Sequence, residues 1–137
     1  MEFLFQHAYL GAEADWIAVD QSGRLGYFST AGAGPIPTTF ERDMDCEDIF
    51  ETILALEVSG SMNLVGQHEG SLNDWIEVAR RGIFAFDWVS EVNCYSLVAK
   101  PNNLLSVSDL NANLRSTVSK FFIDVDFRDE HLGAGLW

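Results

Sequence analysis

The segment from Trp16 to Pro37, WIAVDQSGRLGYFSTAGAGPIP, constrains the fold of this chain more than any other stretch. Trp16-Ile17-Ala18-Val19 and Leu25 to Thr30 are rich in β-branched and aromatic side chains, which suit a pleated, half-buried surface. Between them Asp20-Gln21-Ser22-Gly23 supplies a turn, with Gly23 free to take positive φ. The pattern predicts a β-hairpin. Ala31 to Pro37 then forms a Gly/Pro exit, because proline fixes φ and blocks continuation of the second strand. Gly26, inside that strand, predicts a bulge or the close approach of another backbone.

Further along, the apolar period changes. Cys46, Ile49, Phe50, Ile53 and Leu54 fall at i, i+3, i+4, i+7 and i+8, the stripe of an amphipathic helix beginning near Asp43. Val58 to Gly70 is Gly/Ser-rich and reads as an irregular, mobile connection with a short strand or turn around Met62 to Val65. Ser71 with Asp74 three residues on resembles a capping box for a second helix, and Gly82 after Arg80-Arg81 ends it. Ile83 to Trp88 and Asn93 to Lys100 predict two neighbouring strands, the second halted by Pro101. A third helix, capped by Ser106 or Ser108, carries Leu110, Leu114 and Val118. Phe121 to Phe127 alternates apolar and acidic positions, predicting a last, half-buried strand.

With an extra strand in residues 2 to 9, the expected fold class is α+β: a largely antiparallel sheet with about three helices packed on one face. At 137 residues and 47% hydrophobic, the chain suits one domain over residues 1–137. Cys46 and Cys94 lack a Cys-x-x-Cys spacing and are read as free thiols of a reducing cytoplasm. The N-terminus lacks a signal-peptide pattern, and no window approaches a membrane helix.

The net charge of −13 opposes binding to nucleic acid or an anionic membrane and favours a basic protein partner. The strongest local bias is on and around the first helix, where Asp43, Asp45, Glu47, Asp48 and Glu51 gather against a single Arg42. Such a face is a solvated surface or a docking surface for a basic protein.

Residues with catalytic or metal-binding potential are scattered. His7, His68 and His131 share no ligand spacing, and Asp124 and Asp126 fit no calcium loop, so no metal, cofactor or catalytic residue is assigned. Gly32-Ala33-Gly34 lacks the phosphate-loop pattern. Trp137 at the C-terminus is a candidate anchor for a partner, and His68 a lesser contact. A small hydrolase is the enzymatic alternative; a pocket collecting His68, Asp87 and Cys94 would favour it.

Trp16 to Asp20, Gly23, Phe28, Thr30, Gly32, Gly34-Pro35 and Pro37, with Arg81 to Phe84, Asp87-Trp88, Tyr95 to Leu97 and Lys100-Pro101, resemble small bacterial immunity-type proteins. The resemblance covers most of the chain, from about residue 15 to 127. The resemblance implies a protein that neutralises a secreted toxin by occluding its active site, here through an acidic surface meeting a basic toxin domain. A non-catalytic interaction module without inhibitory action is the competing expectation.

Overall fold

The computed structural model describes residues 5–6, 15–37, 49–68 and 70–133. The predicted hairpin is present as β2 (Asp15–Val19) and β3 (Leu25–Ser29), paired antiparallel with Trp16 opposite Phe28 and Ala18 opposite Gly26. Gly23 takes φ 82°, as the turn requires. A six-stranded sheet grows from this hairpin in the order β2-β3-β6-β7-β5, and the short β8 also pairs with β7. Here β5 is Met62–Leu64, β6 Phe84–Val89, β7 Cys94–Pro101 and β8 His131–Leu132. Every pairing is antiparallel except β3 with β6, so the fold is α+β with a mostly antiparallel sheet. Separately, β1 (Phe5–Gln6) pairs with β4 (Ile36–Pro37), extending the Gly/Pro exit by a two-stranded ribbon.

The parallel pair demands a long crossover, and the chain uses it to cover one sheet face with helices α1 (Ile49–Leu54) and α2 (Asn73–Arg80). Strand alternation puts Ile17, Tyr27 and Ala85 toward these helices, and the Tyr27 ring lies 6.2 Å from that of Phe50 on α1. Gly82, at φ 92°, turns the chain out of α2, as predicted. Helix α3 (Ala112–Val118) packs against β2. Among the described residues no helix is long and apolar enough to cross a membrane.

The opposite face is aromatic. Trp16 stacks on Phe28 at 4.2 Å and Phe28 on Phe86 at 5.0 Å, while Tyr95 and Phe127 meet Phe28 edge-on. Each polar end inside this cluster finds a partner: the Trp16 indole donates to Tyr95 Oη at 3.1 Å, and that hydroxyl donates to the Pro35 carbonyl at 2.8 Å. Phe127 also explains Gly26. A Cβ there would sit 2.8 Å from the Phe127 ring, so the close approach is an aromatic side chain rather than a bulge or a second backbone.

Three local expectations are corrected. Residues 121 to 127 do not form a regular strand. The chain grips the edge of β2 through one bridge at Phe122, with Val19 N–H donating to Phe121 O and Ile123 N–H to Val19 O, then turns away. The side-chain alternation survives, since Phe121, Ile123 and Phe127 are buried while Phe122 and Asp124 are exposed. Ser71 does not cap α2; its Oγ accepts from Asn73 N–H at 3.4 Å and the helix begins one turn position later, after Leu72. The third helix is divided. Ser106 and Asp109 form a capping box on a 3-10 turn at Val107–Asp109, while Asn111 caps α3 by accepting from Leu114 N–H.

Asp20 ties these parts together. Its fully buried carboxylate accepts from the N–H groups of Ser22 and Arg24 in the turn and from that of Phe127, each at 2.9 Å, and pairs with the Arg24 guanidinium at 3.2 Å. Replacing it by alanine strips three donors of their acceptor and leaves a partly buried cation. D20A is therefore expected to lose about 3–5 kcal/mol of stability. Urea unfolding checks this; a loss below about 1 kcal/mol would show that water replaces the carboxylate.

Candidate functional site

A row of polar residues crosses three adjacent strands at one end of the helix-covered face. Asp15 of β2 is opposite Ser29 of β3, and Ser29 is in register with Asp87 of β6. Period two places Tyr27 on the same face, one step inward. The first turn of α2 hangs over this row and supplies Asp74 and Trp75, with Ser71 just before it. Together they line a cleft of about 180 Å³. Asp74 is exposed, Asp15, Ser29, Trp75 and Asp87 are half-buried, and Tyr27 is buried.

The electrostatics of the cleft are negative. Tyr27 donates its hydroxyl hydrogen to Asp15 Oδ2. Burial first, then the Asp15 charge and hydrogen bond, push the Tyr27 phenol far above its ordinary value, and Asp74 adds to the effect. Tyr95, on the other face, is likewise raised by burial, with smaller contributions from the charges of Asp87 and Asp15. Trp75 Nε1 is enclosed without a hydrogen-bond partner among the described residues. Asp15 and Asp87 lie two strand spacings apart, roughly 10 Å between backbones. Among the described residues no group of three or more His, Cys, Asp or Glu could hold a metal ion, so this is a dispersed set of carboxylates rather than a chelating cage.

The residues expected from sequence are placed unevenly. Glu51 is exposed on α1, next to the Phe50 that packs on Tyr27, so it lies on the helix side of the sheet that also carries the cleft. Asp43, Asp45, Glu47, Asp48 and Trp137 lie outside the described residues. His68 is elsewhere, lining an open hollow of about 560 Å³ with Leu64, Gln67 and Leu72, its Nε2 3.0 Å from the Val65 carbonyl. The structure does not gather His68, Asp87 and Cys94 around either hollow. Nor do Asp124 and Asp126 act as a pair: Asp126 is held by Arg128 at 2.6 Å and Arg24 at 3.6 Å, and hydrogen bonds from the Arg128 side chain and backbone draw its carboxyl down to about 2.

Sequence reasoning missed two juxtapositions. The cleft row depends on the parallel register of β3 and β6, which no local pattern announces. A second cluster joins β7 to β8, where Ser96 Oγ lies 3.2 Å from His131 Nδ1 and 3.7 Å from the buried, free Cys94 thiol. Ser96 and His131 are also register partners, so this hydrogen bond fastens the terminal strand to the sheet.

Because Tyr27 and Tyr95 keep their protons well above the ordinary value near 10, the folded chain holds protons that the unfolded chain releases there. Their contribution to stability is full below pH 10 and falls as pH rises past it. Phenolate absorbance should show at most one of the three tyrosines ionising before alkaline unfolding. Ionisation of all three near pH 10 in folded protein would refute the burial and charge argument. No family model, no curated protein and no solved structure matches the chain, so the case for function rests on these side chains and their geometry.

Proposed function

We propose that this chain is a binding protein that neutralises a basic toxin domain by occlusion, acting in the cytoplasm and without catalysis of its own. The observation that carries the reading is the gathering of Asp15, Asp74 and Asp87 around one cleft on the helix side of the sheet, where α1 also exposes Glu51. A net charge of −13 supports the same direction, since a negative field speeds encounter with a basic surface and discourages acidic partners. An enzyme that acts on nucleic acid needs a positive substrate channel, and a carboxylate-rich inhibitor can occupy it as a charge mimic. The free Cys94 thiol is compatible with a reducing compartment.

The acidic helix enters this reading through Glu51, with Asp43, Asp45, Glu47 and Asp48 as its proposed continuation and His68 and Trp137 as outlying contacts. Tagged protein used as bait in a lysate of its own cell, at moderate salt, should retain a stoichiometric basic protein whose toxicity is suppressed by co-expression of this chain. Recovery of no such protein, or a captured protein that stays toxic in the complex, would overturn the proposal. Glu51→Lys should slow association with that partner several-fold at low ionic strength while leaving the fold intact, as expected for an exposed charge that steers encounter. An unchanged rate would remove α1 from the interface.

A further inference from the structure

We propose that β5 is a self-association edge: two copies of this chain pair antiparallel through it, about a two-fold axis at Asn63, and join their sheets into one. This interface is separate from the acidic cleft and does not rest on the binding of a basic partner.

The backbone register sets the geometry. On β5 and its flanks, Asn102 N–H donates to Ser61 O at 3.1 Å and Val65 N–H to Val98 O at 2.8 Å, so Ser61 and Val65 are hydrogen-bonded partners of the β7 chain. Such pairs alternate along an antiparallel ladder. Asn63 therefore turns its backbone polar groups toward Lys100, while Met62 and Leu64 turn theirs away from β7. Among the described residues no strand pairs with that outer side. A second β5 running antiparallel, with Asn63 opposite its own equivalent, sets Met62 of each copy opposite Leu64 of the other. Each outward N–H then meets an outward C=O, the self-complementary pattern that a two-fold contact requires.

Two features select a second copy as the occupant. The first is charge. From Val58 to Gln67 the chain carries no charged side chain, and the nearest register partner with a charge is the exposed Lys100. Two chains of −13 repel over most of their surface, but along this strip they meet without opposing carboxylates, and a basic protein finds no attraction there. The second is the lack of protection. Sheets guard their edges with charge, proline, bulges or covering chain. The far edge, β2, is covered by residues 121 to 123, and β8, which shares the outer side of β7 with β5, directly follows Arg128, Asp129 and Glu130. No such device guards β5, and Leu64 is 50% exposed. Pairing packs Leu64 against Met62 of the copy on one face of the joined sheet, and the open hollow beside Leu64 keeps that face clear. The acidic cleft spans β2, β3 and β6, away from β5, so both clefts stay free in the dimer.

A strand of three residues buries little area, so the dimer is reversible and forms at high concentration. Sedimentation of the full-length protein from about 20 μM to about 1 mM should show the mass rising toward that of a dimer. Over the same range, amide exchange of Met62 and Leu64 should slow, while that of Asn63, already paired with β7, should not change. Asn63 faces its equivalent across the axis, where side chains approach closely, so Asn63→Asp and Asn63→Lys should each weaken self-association at least about tenfold. An equimolar mixture of the two variants should associate again. A monomer at every concentration would overturn the proposal and leave the edge to a strand of another protein. A dimer with unchanged exchange at Met62 and Leu64, or a mixture no better than its components, would overturn it equally. Capture of a basic toxin is measured independently, so the two claims fail separately.

Discussion

The buried carboxylate of Asp20 is the interaction on which the rest of this fold depends. It closes the first hairpin turn through Ser22 and Arg24 and, through the Phe127 N–H, reaches a residue 107 positions away. Sequence separation of that size carries a large closure entropy, which a single hydrogen bond of neutral groups would offset poorly. A charged acceptor with three backbone donors and a guanidinium is stronger, and its geometry is specific. Fastening residue 127 to the turn lowers the Phe127 ring onto Gly26 and against Phe28 and Phe86. The aromatic core is thereby closed by a segment without regular secondary structure.

That closure makes the two sheet faces different in kind. On one, stacked rings pack around the Trp16–Tyr95–Pro35 hydrogen-bond chain, whose polar groups are buried and paired. On the other, the crossover helices cover the apolar residues around Tyr27, and only the first turn of α2 reaches over the row Asp15, Ser29 and Asp87. The cleft arises at that margin, where the sheet continues past the apolar cover of α1 and α2. Its position follows from topology: only a parallel pairing of β3 with β6 aligns Ser29 with Asp87, and that pairing needs the long connection that builds the helical layer.

Much of the scaffold was legible because local chemistry and tertiary structure agree there. Alternating β-branched and aromatic residues flanking Asp20 to Gly23 form the hairpin; Gly82 ends a helix where only a residue tolerant of positive φ fits well. Legibility failed where two local signals compete or where partners are distant. At α2 the N-cap is Leu72, with no side-chain cap, and in the third helical segment Ser106 caps a 3-10 turn while Asn111 caps α3, so a single predicted start becomes two. The period-two pattern of residues 121 to 127 predicts a strand, yet the same alternation results when a chain skims a sheet edge and buries every second side chain. Of the acidic residues expected to form the site, Glu51 alone falls among those described. Asp15, Asp74 and Asp87, about sixty and thirteen residues apart, belong to no common motif and meet only through the β2–β3 and β3–β6 registers and the placement of α2.

The contrast between Asp20 and the cleft carboxylates bears on function. Asp20 is buried with its charge balanced by donors that the fold supplies, as structural stability requires of an ion removed from water. Asp15, Asp74 and Asp87 line one hollow at the edge of the helical layer, in a chain that carries −13, and Asp15 there accepts from the Tyr27 hydroxyl. Burial first, and then the Asp15 charge and hydrogen bond, raise the Tyr27 phenol, with a smaller contribution from Asp74. Stability alone would favour dispersing such charges, and their grouping is the observation behind the proposal that the chain binds a basic partner.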